Sequence, residues 1–371
     1  MKSMFQYIIR FCGNHVFILL ILMLQLFVSC SRNTKDFSFD RVEFTPQYAQ
    51  GFTICSNQDS ISGLMVKNPW QGADSVSMCY RIDKPAQRIV AMSSTFVAML
   101  ESLGAIDRVV GVSGIEFITN ETIKNSRGKV VDVGYNDNFD YEKMVMLNPD
   151  IVLLYGVNGP SPLEEKLNEL NIPYVYIGEY LEESPLGKAE WVIAIGEIIG
   201  KRNEAIALFN EIEQRYNAVK ASFSNNELQP KVMINAPYNE NWWLPSTKNY
   251  MSQLIADAGG DYIYKENTGN ASKIIDTEEA YLLMSNADVW INPGQATTMT
   301  QLAEMAPRFT DTKVFTEGKV YNNNRRSTAR GGNDFYESGI MNPDVILKDL
   351  AKVFYPTLMA DYQPVYYQQL K

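Results

Sequence analysis

The side chains that most enzymes use for acid–base and nucleophilic chemistry are scarce in this sequence. Its one histidine, His15, lies in an apolar stretch near the amino terminus. Histidine proton transfer, Ser-His-Asp and Cys-His catalysis and most catalytic zinc sites need a histidine elsewhere in the chain. The CxxC, HExxH, GxSxG and GxxxxGKS/T signatures are absent as well. The sequence therefore excludes most common catalytic mechanisms, although paired carboxylates could still act as acid and base.

A polar segment near the carboxyl end, residues 325–337, could bind an anionic group. It contains Arg325, Arg326, Arg330 and Asn333 and has a Gly-Gly pair but no helical periodicity, which predicts a loop. The forked guanidinium donors of arginine suit carboxylate, phosphate or catecholate oxygens. A solvated surface loop is the alternative interpretation.

The amino terminus has the pattern of an export signal. Two basic residues precede an apolar run over residues 16–28, which is too short to span a bilayer comfortably. The run ends in Phe-Val-Ser-Cys, which resembles the lipobox of bacterial lipoproteins, where the cysteine is acylated. We therefore expect a signal peptide over 1–29, a lipid on Cys30 that holds the protein to a membrane surface, and a tether over 30–39. A plain amino-terminal membrane anchor is the alternative.

Charge and cysteine content limit the partners and the covalent framework. The formal net charge of −10 argues against nucleic acid or an anionic membrane face as the main partner, because both need clustered Lys and Arg. Two cysteines, Cys55 and Cys79, remain after the expected processing. They could form a disulfide in an oxidising compartment or stay as two free thiols.

The secondary-structure elements that must position these residues are predicted from two sequence patterns. Residues 40–83 alternate apolar with polar residues between turn signals, which predicts a small antiparallel extension. From Arg88 onward, short apolar strands alternate with helices of about ten residues, a pattern typical of a parallel sheet with helical crossovers. The same alternation returns after residue 230. Two parallel-sheet lobes are therefore expected.

The segment between the two lobes predicts one long backbone helix. Ser184 and Pro185 form a helix start signal, and apolar residues then recur at steps of four and three up to Phe223. Even with a kink near Gly196 or Gly200, a helix of about forty residues would reach roughly 60 Å, longer than one small domain. The predicted fold is α/β with lobes over 40–183 and 225–371, joined by this helix over 184–224.

A weak internal repeat relates the lobes. In the first, a helix that begins with Glu142 precedes Asp150 at the entry to an apolar strand. In the second, Glu278 and Glu279 open a helix that precedes Asp288 and another apolar strand. Glutamate at a helix start is common, so the repeat gains weight from the matching order of elements around it.

A resemblance to a known family is carried by strings in both lobes. They are RIVAMSSTFVAMLESLGAIDRVVGVSG, NFDYEKMVMLNPDIVLLYG, YMSQLIADAGG and GKVYNNNR. Together these resemble the substrate-binding proteins of ABC importers for ferric siderophores, haem and cobalamin, over roughly residues 85–357. The resemblance implies two lobes joined by one long helix, a ligand in the cleft between them, little closure on binding and no covalent chemistry or resident cofactor.

The resemblance also implies roles for particular residues. One glutamate from each lobe would meet the permease: Glu142 from the first, and Glu278 or Glu279 from the second. Large aromatic side chains suit a flat metal complex, because they bury much area with little loss of rotamer freedom. The expected ligand contacts are Tyr135, Tyr155, Tyr180, Trp242, Trp243, Tyr250, Arg325, Arg326, Arg330 and Asn333. Simple core or rim packing is the alternative for each tyrosine.

The sequence and this resemblance together predict a lipid-anchored receptor in the bacterial cell envelope, either facing the periplasm or at the outer-membrane surface. It would capture an iron complex or corrinoid and deliver it to an ABC permease, with no metal bound directly by protein side chains. Two alternatives stay open. One is a metal chelatase or ligand-remodelling enzyme of similar two-lobed fold, and the other is a surface lipoprotein that binds another protein.

Overall fold

The computed structural model describes residues 39–59, 61–126, 128–136, 138–223, 226, 228–238 and 241–371. The predicted signal peptide, Cys30 and all but the last residue of the predicted tether lie outside this part of the chain. Residues 41–371 form one compact unit, and all that follows concerns this unit. The predicted limits of the lobes within it stay a prediction.

Strands form three main sheets and two short pairs. An antiparallel sheet has the order β1-β2-β3-β4, the first lobe has a parallel sheet β11-β10-β5-β6-β7, and the second lobe has β14-β12-β16-β17-β18, in which only β18 is antiparallel. The bounds are β1 Arg41–Phe44, β2 Phe52–Ser56, β3 Ser62–Lys67, β4 Ser77–Ile82, β5 Ile89–Ala91, β6 Val109–Val112, β7 Val131–Asp132, β8 Gly134–Tyr135, β9 Asn138–Phe139, β10 Ile151–Leu154, β11 Tyr174–Tyr176, β12 Lys231–Ile234, β13 Trp242–Leu244, β14 Asp261–Tyr262, β15 Lys273–Ile275, β16 Val289–Ile291, β17 Val320–Asn322 and β18 Gln368–Gln369.

Helices connect these strands. The α-helices are α1 Ser94–Ser102, α2 Glu121–Lys124, α3 Tyr141–Leu147, α4 Leu163–Glu169, α5 Pro185–Glu190, α6 Val192–Ile198, α7 Arg202–Phe223, α8 Tyr250–Asp257, α9 Thr277–Ser285, α10 Met299–Met305, α11 Lys313–Thr316 and α12 Pro343–Phe354. Short 3-10 turns cover Ile106–Arg108, Ile115–Phe117, Glu179–Leu181, Pro307–Phe309 and Ser338–Met341. The predicted class, α/β with two parallel-sheet lobes and an antiparallel extension, is confirmed.

The two halves of the internal repeat have the same local hydrogen-bond arrangement. Asp150 accepts hydrogen bonds from the backbone N–H groups of Gln87 and Arg88, just before the central strand β5. Asp288 accepts in the same way from the N–H of Lys231, which begins β12. Each aspartate therefore joins the start of its own strand to the start of the neighbouring strand.

The connection between the lobes is corrected from one continuous helix to three consecutive helices, α5, α6 and α7. The predicted start is confirmed, since the Ser184 hydroxyl accepts from the N–H of Gly187 at 2.9 Å and Pro185 occupies the first helical position. The chain leaves the helical conformation at Gly200, whose φ of +73° favours glycine. The sequence allows a kink near Gly196 or Gly200, but a helical period persists across such a break, so the pattern alone does not show that a helix ends there.

The longest of the three, α7, carries the predicted apolar face. Its buried residues are Ala205, Phe209, Ile212, Tyr216, Val219 and Phe223. This face packs against α6 and the carboxy-terminal helix α12. Because these residues are at least nine-tenths buried, α7 is part of the hydrophobic core and not a solvated rod.

Two buried carboxylates fasten the antiparallel extension to this connection. Glu190 on α5 accepts the backbone N–H groups of Gln47, Tyr48 and Ala49 at 2.7–2.8 Å. Glu182 accepts the N–H of Gly51 at 3.1 Å. Hydrogen bonds to ionised acceptors are stronger than neutral ones, so the extension is an integral part of the unit.

Candidate ligand-binding cleft

A cavity of about 350 Å³ lies between the two lobes and against the helices that join them. Its walls come from the segments 93–95, 155–157, 179–188, 250–254 and 335–346. The first of these segments follow the carboxyl ends of β5, β10 and β11, which is where open parallel sheets place their ligands. Most of the lining is apolar or aromatic, as in small-molecule sites.

Two of the predicted tyrosines form the first-lobe wall. Tyr155 follows β10 and Tyr180 follows β11, and both line the cavity. The Tyr180 hydroxyl donates to the carbonyl of Gly156, which fixes its ring. Burial raises the pKa of Tyr180 to about 12 and also raises that of Tyr155, so both phenols are neutral at physiological pH. Each offers an aromatic face and a hydroxyl.

The second-lobe wall contains Tyr250 and two aromatic residues that the sequence reasoning missed. Tyr250 begins α8, and Phe335 and Tyr336 meet edge to face with ring centroids 5.0 Å apart. Their only sequence signal was their position within the arginine-containing segment 325–337. Asn333 orients this pair, because its Oδ1 accepts the N–H of Phe335 at 3.0 Å and its Nδ2 donates to Asn323 at 3.2 Å.

A polar pair in the same cavity was also missed. Glu179 is buried, and its Oε1 accepts from the Thr95 hydroxyl at 2.7 Å. The Lys188 ammonium donates to the backbone carbonyl of Glu179 at 3.1 Å and lies 4.8 Å from the centre of the Tyr250 ring. Burial raises the pKa of Glu179 and lowers that of Lys188, while their mutual attraction opposes both shifts.

The two tryptophans and Tyr135 lie elsewhere. Trp242 is 1% exposed and packs in the second-lobe core against Phe309, with ring centroids 5.0 Å apart. Trp243 is 46% exposed, because successive residues of β13 point to opposite faces. Tyr135 is exposed and packs on Phe117 at 4.7 Å. Within the part of the chain described, the structure does not bring these three rings into the cavity lining.

Two of the three arginines in the predicted loop form ion pairs with protein carboxylates. Arg326 pairs with Asp334 at 3.0 Å, and Arg330 pairs with the exposed Glu116 of the first lobe at 3.4 Å. Arg325 has an exposed side chain. No arginine is among the described residues that line the cavity between the lobes.

The same loop bridges the lobes on one side of the cavity. Buried Glu337 accepts the backbone N–H groups of Thr119 and Asn120, each at 2.7 Å. Gly332 lies so close to the first lobe that a Cβ atom there would stand 1.9 Å from the carbonyl oxygen of Phe117. The lobes are thus joined by this bridge as well as by the three helices.

The predicted docking glutamates occupy equivalent helix positions. Glu142 is the second residue of α3, after the N-cap Asp140, and Glu278 is the second residue of α9, after the N-cap Asp276. Both are exposed, whereas Glu279 is half-buried. Matching the two N-caps places Glu278, and not Glu279, at the position equivalent to Glu142.

Exposed apolar side chains accompany both glutamates. Met146 on α3 is 83% exposed and Leu282 on α9 is 67% exposed. Each follows its glutamate by four residues, so carboxylate and apolar side chain lie on one helix face. A carboxylate beside an exposed apolar group thus occurs once in each lobe.

The described residues contain no group of three or more His, Cys, Asp or Glu placed to hold a metal ion. Cys55 on β2 and Cys79 on β4 are free thiols separated by β3, which answers the question that the sequence left open. No described helix has the length and apolarity needed to cross a membrane.

These features define a class: a two-lobed α/β ligand-binding protein with an aromatic cleft and a rigid connection. The family model for periplasmic binding proteins matches residues 89–324, and the chain belongs to this family. The antiparallel extension precedes the matched region. The family and the structural neighbours are named as periplasmic binding proteins.

Comparison with particular proteins agrees with this assignment. An uncharacterized lipoprotein of Methanocaldococcus jannaschii is 29% identical over 286 residues, covering 74% of this chain and 66% of the relative, so the chain spans about two thirds of that relative's length. A periplasmic heme binding protein from Pseudomonas aeruginosa has a TM-score of 0.59 at 18% identity, covering 77% of this chain and 98% of that one. The periplasmic vitamin B12 binding protein of Vibrio cholerae has a TM-score of 0.54 at 13% identity, covering 75% and 99%. These structures share its fold.

Proposed function

We propose that this protein is the substrate-binding lipoprotein of an ABC importer, and that it captures an iron complex or corrinoid between its lobes. The observation that carries the proposal is the aromatic cavity between two lobes that are held apart by helices and a second bridge. The names of structural neighbours, which include heme-binding and vitamin B12-binding proteins, support this ligand class. The protein binds and delivers its ligand without covalent chemistry.

The ligand contacts the tyrosines of both walls. Tyr155 and Tyr180 come from the first lobe and Tyr250 from the second. Faces of neutral aromatic rings pack well against a flat macrocycle or a compact metal complex and add specific stacking to area burial. Phe335 and Tyr336 extend this surface, and Asn333 contributes by orienting them. Tyr135, Trp243 and the exposed Arg325 are proposed contacts only for parts of a ligand that reach beyond the cavity.

Delivery uses the two equivalent helix faces. Glu142 and Glu278 each present a carboxylate at a helix start, and Met146 and Leu282 add apolar area beside them. Such a repeated pair fits a permease built from two similar halves that carry basic and apolar groups. Glu278 pairs with Arg308 at 3.6 Å, and both side chains are exposed, so the permease can displace this weak pair.

A lipid on Cys30 holds the receptor at the envelope surface, facing the periplasm, in this proposal. The match to a lipoprotein of Methanocaldococcus jannaschii supports the anchor. Metabolic labelling with a radioactive fatty acid should mark the wild-type protein and leave Cys30→Ala unlabelled. Labelling of both would refute this part of the proposal.

The binding role is tested by incubating the protein with haemin, cyanocobalamin or a ferric siderophore, desalting it and recording the absorption spectrum. We expect one chromophore to be retained by the wild type. The double variant Tyr155→Ala/Tyr250→Ala should bind it at least about 10-fold more weakly, because two stacking faces are lost. Tyr281→Ala on α9, outside the cleft, is the control and should bind as the wild type does. Retention of no chromophore by the wild type would refute the proposed function.

A further inference from the structure

Glu179 and Lys188 form the charged part of an otherwise mainly apolar cleft. Among the described residues that line the cavity, Glu179 supplies the only carboxylate and Lys188 the only cation. Glu179 directly precedes Tyr180 after β11, and Lys188 projects from α5, so one group belongs to a lobe and the other to the connection. The function proposed above gives neither residue a role.

The carboxylate of Glu179 is held in place but incompletely paired. Oε1 accepts from Thr95 at 2.7 Å, whereas Oε2 is buried and accepts no well-formed hydrogen bond from the described residues, although the backbone N–H groups of Glu179 and Tyr180 lie near the carboxylate. Thr95 is itself fixed at the start of α1, where its N–H donates to the N-cap Ser93. Buried polar atoms in proteins nearly always have partners, so an orphan acceptor at a cavity wall indicates a missing donor.

Lys188 does not supply that donor. Its ammonium is directed to the backbone carbonyl of Glu179 at 3.1 Å and to the face of Tyr250 at 4.8 Å. The pair as a whole is neutral, and the arginines of the nearby loop pair with Asp334 and Glu116 outside the cavity. A ligand carboxylate at this point would meet the Glu179 carboxylate with a single, already engaged cation to offset the repulsion.

We infer that Glu179 is a specificity-determining residue of the cleft, where its free carboxylate oxygen accepts a hydrogen bond from the ligand. The ligand class is a bulky or flat metal complex that presents neutral donors, such as carboxamide N–H or hydroxyl groups. Complexes that present carboxylates to this wall bind more weakly. Because Oε2 is buried in the wall, contact with the ligand requires the Glu179 side chain to rotate toward the cavity. The inference rests on the proposed function, since it concerns the same cleft.

The test compares two probes of similar bulk and opposite chemistry. Cyanocobalamin carries carboxamide side chains, whereas haemin carries two carboxylates. Equilibrium dissociation constants are measured for both probes by quenching of tryptophan fluorescence, with the wild type, Glu179→Gln and Lys188→Gln. Glu211→Gln, an exposed glutamate on α7, is the matched control. Circular dichroism and thermal melting establish that each variant is folded.

We expect the wild type to prefer cyanocobalamin. Glu179→Gln should weaken the binding of cyanocobalamin several-fold, up to about 10-fold, because a neutral amide oxygen replaces a charged acceptor, and it should not weaken the binding of haemin. Lys188→Gln should weaken the binding of haemin and leave the binding of cyanocobalamin unchanged. If Glu179→Gln does not fold, this second variant tests the inference. The control should match the wild type for both probes.

Two kinds of failure are distinguishable. A wild type that binds haemin as tightly as cyanocobalamin, or an unchanged ratio of the two constants in Glu179→Gln, overturns the inference and leaves the proposed function standing. Equal weakening of both probes by Lys188→Gln overturns it as well. Binding of neither these probes nor a ferric siderophore to the wild type overturns the proposed function and the inference with it.

Discussion

Replacement of Glu337 by alanine should loosen the bridge between the lobes. Glu337 is 2% exposed and accepts two backbone N–H groups of the other lobe, from Thr119 and Asn120, at 2.7 Å each. Residues 337 and 120 are 217 positions apart in the chain, so the contact exists only in the folded protein. Its loss removes the acceptor of two donors at once.

The size of the effect follows from these contacts. A hydrogen bond to a charged group contributes about 1.5–3 kcal/mol, so two would contribute about 3–6 kcal/mol. Part of this is offset, because burial disfavours the carboxylate and raises the pKa of Glu337. Thr119 is only half-buried, so its N–H can return to water. We expect the free energy of unfolding to fall by about 2–4 kcal/mol.

The measurement combines urea unfolding with amide hydrogen exchange. Exchange at the amides of Thr119 and Asn120 should accelerate in Glu337→Ala, since both lose their acceptor. Glu211→Ala, at an exposed position of α7, is the control and should change the free energy of unfolding by less than about 0.5 kcal/mol. If Glu337→Ala is as stable as this control and the two amides exchange at the wild-type rate, the bridge does not exist as described.

Three further predictions concern the bridge, the cleft and the docking faces. Gly332→Ala should destabilise the protein and speed exchange at the bridge, because the new Cβ would stand 1.9 Å from the Phe117 carbonyl oxygen; wild-type stability in urea would contradict this. Burial raises the pKa of Glu179 above its ordinary value of 4.5, so the folded state binds this proton more tightly than the unfolded state does. The free energy of unfolding should therefore fall as the pH rises from 4.5 through the raised pKa. Glu179→Gln should make that fall smaller in thermal melts taken across this pH range, and an unchanged pH profile would count against the raised pKa. Glu142→Lys/Glu278→Lys should leave ligand binding intact and abolish transport in cells, measured by uptake of the retained ligand; full uptake would refute docking through these helix faces.

Much of the fold could be predicted because its signals are local. Capping serine and aspartate residues, such as Ser184 and Asp140, act on N–H groups within three residues, so they are readable in the sequence. The alternation of strands and helices likewise depends on periods of two and 3.6 residues. The break at Gly200 was hard to place, because a glycine inside a helical pattern either continues the helix or ends it.

The candidate site was only partly predictable. Tyr155, Tyr180 and Tyr250 stand next to strand ends or a helix start, and the structure places them in one cavity. Trp242 follows a strand in the same way but turns into the core. No feature of the neighbouring sequence shows whether an aromatic residue near a strand end lies in the core or in the cleft, since both environments favour aromatic side chains.

The sequence by itself determined the two-lobed α/β plan, the lack of histidine chemistry in most of the chain and the equivalent glutamates at two helix starts. Only the tertiary structure decided which side chains meet in the cleft, that the arginine loop bridges the lobes and that Glu179 keeps an unpaired oxygen. The physical reason is the separation along the chain of the residues that interact. Hydrogen bonds and periodicity within an element leave a pattern in neighbouring residues, whereas packing between lobes depends on distances between residues far apart in the chain.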